Sequence, residues 1–119
     1  ELGSVWSRLG AKVTILELMP RLFGTADKQI SALAQRILES QGMNFLFEHK
    51  VTGCEKKKDK VIVKALDPSG KEITVEGDVV LSAVGRKPYT DGVGAKEIGI
   101  EMTARNRIKV DPKTYRTNI

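Results

Sequence analysis

The sequence contains a single cysteine, few aromatic residues and no long apolar run. Because Cys54 has no cysteine partner, the chain cannot form an internal disulfide, a redox-active dithiol or a cysteine-based zinc site. No apolar run approaches the roughly 20 residues of a membrane-spanning helix, and no basic segment followed by an apolar one indicates a signal peptide. We therefore predict no metal site and no membrane association. The lone thiol is typical of a reducing compartment, either the cytoplasm or, in a eukaryote, the mitochondrial matrix.

The low aromatic content, 5% of 119 residues, also bears on the net charge of +5. Much of the positive charge lies in Lys56–Lys60, and no aromatic residue within that run provides a stacking surface for bases. This run is typical of a solvated hairpin tip, so we predict no nucleic-acid binding. A non-enzymatic module that uses these lysines to bind nucleic acid or an acidic partner stays open as an alternative. With 40% apolar and 29% charged residues, the chain is expected to form a single globular domain.

Residues 1–48 predict a helix, a strand, a second helix and a second strand. The first helix carries an apolar stripe with helical spacing, and Gly10 follows it as a C-terminal glycine. The residues of this stripe, which we expect to be buried, are Leu2, Val5, Trp6 and Leu9. Residues 13–16 read as a short buried strand that ends before Glu17. The second helix starts at a cap provided by Thr25 or Asp27 and ends at Gly42. Its predicted apolar face consists of Ile30, Leu33, Ala34, Ile37 and Leu38.

Residues 50–77 predict an antiparallel β-meander, whose second turn is formed by Asp67, Pro68, Ser69 and Gly70. The more continuous apolar run at residues 78–84 predicts a strand buried on both faces, which returns to the parallel sheet. Residues 85–119 are rich in glycine and read as loops, with one last short strand at 107–110. The pattern predicts an α/β fold: a Rossmann-like, three-layer dinucleotide-binding domain with an added meander.

Glu17 is the strongest candidate binding residue. In a dinucleotide-binding βαβ unit, an acid at the end of the second strand accepts hydrogen bonds from the adenosine ribose. Its negative charge would repel the 2′-phosphate of NADP, so Glu17 favours NAD, although Arg21 keeps NADP open. Such units also contain a first strand and a Gly-rich turn before the first helix. This sequence has neither, so we expect a domain that lacks both.

Three other residues are candidates for the same site. Glu1 would lie in the first turn of the helix that faces the cofactor, near the nicotinamide ribose, where an acid also suits the helix dipole. Val51 would approach the adenine, although a core valine is the simpler interpretation. Gly85, at the end of the predicted strand, would allow close approach of the backbone to a ligand. His49 has no partner that would make it a general base and reads as a surface strand residue, so no catalytic residue is predicted.

Several segments resemble the NAD-binding domain of the dihydrolipoamide dehydrogenases, a family of flavin-dependent pyridine nucleotide–disulfide oxidoreductases. These segments are Glu1–Thr14, Ser40–Met43, Asp78–Leu81 with Val84–Pro88, and Ile98–Glu101. The resemblance implies that the whole protein oxidises dihydrolipoamide through a redox disulfide and FAD, and passes a hydride to NAD⁺. It implies that Glu17, Glu1, Val51 and Gly85 contact NAD, while FAD binds mostly outside these residues. It further implies a homodimer within 2-oxo acid dehydrogenase or glycine cleavage complexes, and a part in cell redox homeostasis.

The sequence departs from the family pattern because it lacks the glycine turn, the redox cysteine pair and the His–Glu base. We therefore expect the chain by itself to be inactive, to bind NAD poorly, and to self-associate through exposed sheet edges. An NADPH-dependent disulfide reductase of the same superfamily, similar to glutathione or mercuric reductase, is the alternative enzyme.

Overall fold

The computed structural model describes residues 1–119, which form two compact units, Glu1–Val80 and Leu81–Ile119. All helices and strands lie in the first unit. They are α1 (Leu2–Arg8), β1 (Thr14–Leu16), α2 (Lys28–Ser40), β2 (Asn44–Leu46), β3 (Lys50–Lys56), β4 (Val61–Leu66) and β5 (Glu72–Gly77). The predicted α/β class is confirmed, with one parallel and one antiparallel sheet. Neither helix has the length and apolar character needed to cross a bilayer.

The parallel sheet consists of β1 and β2, which the sequence predicts as neighbouring strands of a βαβ unit. Thr14 is paired with Asn44 and Leu16 with Leu46. The side chains of Phe45 and Phe47 lie on one face with their rings stacked 5.7 Å apart, as the alternation of residues 43–48 predicts. The two strands run in the same direction because α2 connects the end of one to the start of the other.

Helix α1 turns a different face inward from the one that its sequence predicts. Gly3 lies against Val13, Ile15 and Met43, and the absence of a side chain allows this close approach. The predicted buried stripe is instead exposed, and its members Leu2, Val5, Trp6 and Leu9 are at least half accessible. The prediction was wrong because spacing identifies an apolar face but not the surface against which the helix packs.

Helix α2 begins and ends as the sequence predicts. The side chain of Asp27 accepts hydrogen bonds from the backbone N–H groups of Gln29 and Ile30, which identifies Asp27 as the N-cap. Gly42, with φ +91°, follows the last turn in the left-handed conformation. Ser31 is the buried residue of this helix, whereas its apolar residues Ile30, Leu33 and Ile37 are exposed. The predicted apolar face is thus only partly covered, through Ala34 and Leu38.

The predicted meander is confirmed as the antiparallel sheet β3-β4-β5. Val63 and Ala65 of its central strand are buried and, with Met43, form the apolar core of the first unit. The turn after β4 has the expected chemistry, since Asp67 Oδ1 accepts from Ser69 and from the Lys71 N–H. These bonds, first from the Ser69 hydroxyl and then from the Lys71 N–H, lower the pKa of Asp67, and the nearby His49 ring adds to the effect.

Residues 78–84 do not form the predicted strand. No backbone group of this segment bonds to another strand, and Val79 and Val84 are 84% and 94% exposed. An apolar run becomes a buried strand only where a neighbouring strand is available to pair with it, and none lies beside this one. In the second unit, Met102 and Ile108 form one antiparallel bridge near the predicted last strand, and Ala95 is buried.

Candidate functional site

Glu17 follows β1 directly and stands at the carboxyl end of the parallel sheet, as the sequence predicts. Its backbone N–H donates to the Leu46 carbonyl at 3.0 Å, which continues the ladder with β2. Its side chain is half-buried, and Oε1 accepts from the Met19 N–H at 2.9 Å. Oε2 receives no donor from the protein, so it retains lone pairs for a hydroxyl group of a ligand. The carboxyl ends of parallel strands are where open α/β sheets bind ligands.

The loop after Glu17 is held by side chain–backbone hydrogen bonds. The buried hydroxyl of Ser31 donates to the Leu22 carbonyl, which ties the loop to α2. Arg21 Nη2 donates to the Gly24 carbonyl at 2.8 Å. The guanidinium that the sequence offers as a possible ligand for a 2′-phosphate is therefore engaged within its own loop.

The connection from β2 to β3 passes beside Glu17. The His49 N–H donates to the Glu17 carbonyl at 3.0 Å, and the Glu48 N–H donates to the Met19 carbonyl at 3.3 Å. Nδ1 of the His49 ring lies 2.6 Å from the Phe47 carbonyl oxygen. His49 is half-buried in a loop, not on the surface of a strand, so its prediction was wrong. The alternation of apolar and polar residues could not reveal this position of His49, because alternation identifies the faces of a strand and not the geometry of a turn.

Val51 lies at the start of β3, two residues after His49. It is 49% exposed, although it pairs in register with the fully buried Ala65, and a bulge follows between Val51 and Gly53. The interpretation of Val51 as a core valine is therefore wrong. Through the bond between His49 and Glu17, the chain that leads to Val51 is brought to the carboxyl end of β1.

Glu1 is the N-cap residue of α1, and its side chain makes no capping hydrogen bond. Its carbonyl accepts from the N–H groups of Ser4 and Val5, which begin the helix. Since Gly3 packs over Val13 and Ile15, the start of α1 lies against β1. The carboxylate of Glu1 is exposed and has no hydrogen-bond partner in the protein. Glu1 and Glu17 belong to the same unit.

Gly85 belongs to the second unit. It has φ +112°, which only glycine adopts without strain, and a Cβ built there would have no atom within 4 Å. The backbone conformation at position 85 therefore requires a glycine. Two shallow cavities of this unit do not include it; one is lined by residues such as Thr90 and Asn106, the other by residues such as Lys109 and Arg116. No cluster of three or more His, Cys, Asp or Glu residues that could hold a metal is present.

Comparison with known proteins identifies relatives over the whole chain. The family model described as pyridine nucleotide-disulphide oxidoreductase matches residues 1–119. The chain is 47% identical to a dihydrolipoamide dehydrogenase of Chaetomium thermophilum, 42% to the mitochondrial dihydrolipoyl dehydrogenase of Schizosaccharomyces pombe and 43% to that of Homo sapiens. Each match covers 100% of this chain but only 23–24% of the relative, so the chain spans about a quarter of their length.

Comparison with solved structures identifies proteins that share this fold. A Cu(II) complex of a mutant of RclA, an HOCl-induced flavoprotein disulfide reductase from Escherichia coli, has a TM-score of 0.79 and 26% identity. That match covers 92% of this chain and 24% of RclA. LpdA from Mycobacterium tuberculosis has a TM-score of 0.77 at 22% identity over 93% of this chain and 23% of its own, which shows the fold alone. The predicted resemblance to dihydrolipoamide dehydrogenases is confirmed by the names of the curated relatives.

Proposed function

The chain belongs to the pyridine nucleotide-disulphide oxidoreductase family, and from this premise we propose that it is the NAD-binding part of a dihydrolipoamide dehydrogenase. The observation that carries the proposal is the half-buried carboxylate of Glu17 at the carboxyl end of β1, with one oxygen fixed and the other available. A carboxylate so held can accept hydrogen bonds from both ribose hydroxyls of an adenosine without first having to be ordered.

The three other candidate residues each carry a group that suits an adenine dinucleotide. Val51, half-exposed at the start of β3, offers apolar surface or its backbone to the adenine. Glu1 offers a carboxylate at the start of α1 for the nicotinamide ribose. Gly85 offers a backbone without a side chain, which a cofactor can approach closely. These roles follow the family resemblance, and each is compatible with the exposure of the residue in its own unit.

The site favours NAD over NADP. The carboxylate of Glu17 would repel a phosphate on the ribose 2′ oxygen. One N–H of Arg21 is already bonded to the Gly24 carbonyl within the loop. An NADPH-dependent reductase would need a cation free to neutralise that phosphate. The carboxylate of Glu17 therefore supports the NAD-linked enzyme against the NADPH-linked alternative.

The lysine-rich turn supports the alternative of a basic binding module less well. Lys57 pairs with Glu55, and Lys60 Nζ lies 2.7 Å from Glu76 Oε2. Two of its four lysines are thus already close to carboxylates, as expected for a solvated hairpin.

Within the whole enzyme, the work of this segment is binding and orientation. NAD⁺, held by these residues, would supply the hydride acceptor, and FAD and the redox disulfide would be held by other parts of the whole protein. With Cys54 as its only cysteine, the chain has no dithiol of its own, so we propose that it does not catalyse by itself.

We propose for the whole protein a homodimer in a 2-oxo acid dehydrogenase or glycine cleavage complex, in the mitochondrial matrix or the cytoplasm. The two-stranded sheet has open edges through which the isolated chain would self-associate.

The proposal is tested by replacing Glu17 in the whole flavoprotein with glutamine. Loss of the charge weakens the hydrogen bonds to the ribose, so we expect the KM for NAD⁺ to rise about tenfold and that for NADP⁺ to fall. Glu72→Gln, which removes an exposed acid of β5, serves as the control and leaves both values unchanged. If Glu17→Gln leaves the KM for NAD⁺ at the wild-type value, Glu17 does not bind the cofactor.

A further inference from the structure

The ladder between β1 and β2 contains one extra residue at its carboxyl end. The register pairs Leu16 with Leu46, so in a regular parallel ladder the Glu48 N–H would donate to the Glu17 carbonyl. The observed donor is the next residue, His49, and the Glu48 N–H turns instead to the Met19 carbonyl. A bulge is thus inserted between Leu46 and His49, at the point where the proposed NAD site begins. Bulges of this kind re-aim the chain next to functional sites.

The bulge has a conformation that needs support. Glu48 has φ +57°, in the left-handed region that residues other than glycine rarely adopt. The Phe47 carbonyl beside it receives no backbone N–H and instead lies 2.6 Å from Nδ1 of His49. A carbonyl oxygen only accepts, so Nδ1 carries the proton and donates it. The histidine ring therefore supplies the one hydrogen bond that the Phe47 carbonyl accepts within the protein.

We propose that His49 is a positioning residue for the dinucleotide, an inference that rests on the proposed function of this site. The ring holds the bulge, and the bulge directs the Glu48 N–H to the Met19 carbonyl. The N–H of Met19 in turn fixes Oε1 of Glu17, and the His49 N–H fixes the Glu17 carbonyl. His49 thus acts on the ribose-binding carboxylate through two neighbouring backbone segments, without contacting the ligand itself.

The test replaces His49 with each of two amide residues, which place their N–H donor at different positions. The side-chain nitrogen of asparagine occupies the position of Nδ1, whereas that of glutamine reaches the position of Nε2. In the whole flavoprotein, we expect His49→Gln to raise the KM for NAD⁺ about fivefold with kcat unchanged, the effect of one lost neutral hydrogen bond. His49→Asn should restore the wild-type KM. Equal damage by both variants, or none by either, overturns the proposal.

A control variant removes a similar hydrogen bond from the other end of the sheet. The Ser40 hydroxyl donates to the Ile37 carbonyl at 2.7 Å near the end of α2, before the chain enters β2. Ser40→Ala should leave the KM for NAD⁺ unchanged. A rise equal to that of His49→Gln would show that the loss of any such bond has this effect, which contradicts a specific role of His49.

A double-mutant cycle with Glu17→Ala separates failure of this inference from failure of the proposed function. If His49 acts through Glu17, the effect of His49→Gln disappears when Glu17 is already alanine. Persistence of the effect in that background overturns the role of His49 while leaving the proposed function intact. If Glu17→Ala alone does not change the KM, the proposed function fails, and the inference with it. Ring ¹⁵N NMR of the wild-type protein gives an independent check: a proton on Nε2 with Nδ1 bare would contradict the proposed donor.

Discussion

Gly3 gives the sharpest test of how α1 packs on the parallel sheet. A Cβ at this position would lie 3.1 Å from Met43 Cε, 3.4 Å from Val13 Cγ1 and 3.5 Å from Ile15 Cδ1. The two further methyl groups of a valine would then enter space already filled by these side chains. Overpacking of this kind costs about 1–3 kcal/mol, and the better helix propensity of valine offsets only about 0.4 kcal/mol. We expect Gly3→Val to lower the free energy of unfolding by about 1.5 kcal/mol.

Alanine at the same position separates the two contributions. Its Cβ would be crowded mainly by the flexible end of Met43, and its helix propensity is about 1 kcal/mol better than that of glycine. We therefore expect Gly3→Ala to change the free energy of unfolding by no more than about 0.5 kcal/mol. Urea denaturation of the chain, followed by circular dichroism, measures both variants.

Gly24→Val is the control, because nothing lies within 4 Å of a Cβ at Gly24 and its φ is one that other residues adopt. Its stability should stay within about 0.5 kcal/mol of the wild type. If Gly3→Val is as stable as Gly24→Val, Gly3 does not face β1 and Met43, and the described packing of α1 is refuted.

Three further predictions concern the first unit. Asp27→Ala removes the acceptor of two N–H groups and should lower the free energy of unfolding, measured in urea, by about 1 kcal/mol. Asp27→Ser should keep most of the wild-type stability, and equal losses in the two variants would contradict the role of Asp27 as N-cap. Gly70→Ala, at φ +84°, should cost about 1 kcal/mol in the same assay, and an unchanged midpoint would exclude the left-handed turn. Because hydrogen bonds from Ser69 lower the pKa of Asp67, its contribution to stability is present above its ordinary value of 3.8 and is lost as the pH falls through its folded value. Thermal unfolding between about pH 2 and 5 should therefore show a weaker acid dependence in Asp67→Ala, and identical profiles would contradict this.

Local chemistry in the sequence was sufficient to predict much of the first unit. The cap at Asp27 and the turns at Gly42 and Gly70 depend on side chains and φ values within a few residues, so they can be read directly. The β-rich composition of residues 61–66, between two turns, likewise predicts the central strand of the meander. The sequence did not predict which apolar surfaces pack against each other when they lie far apart in the chain. The exposed stripe that includes Trp6 and the unpaired run that includes Val84 both require neighbours that periodicity does not identify.

The candidate site shows the same division. The position of Glu17 at the end of a parallel strand follows from the order helix, strand, helix, strand, and it was predicted. The bulge at Glu48 and the role of His49 were missed, because one extra residue in a ladder leaves no periodic signal. The exposure of Val51 was not predictable either, since a valine at the start of a strand is equally suited to a core.

The most direct test of the central claim measures whether Glu17 and the adenosine ribose act on each other. The whole flavoprotein and its Glu17→Ala variant would each be assayed with NAD⁺ and with an analogue that lacks the 2′-hydroxyl of the adenosine ribose. If the carboxylate of Glu17 accepts that hydroxyl, the analogue loses roughly tenfold or more in kcat/KM with the wild type and almost nothing with the variant. An equal loss in both proteins would show that Glu17 does not bind this sugar.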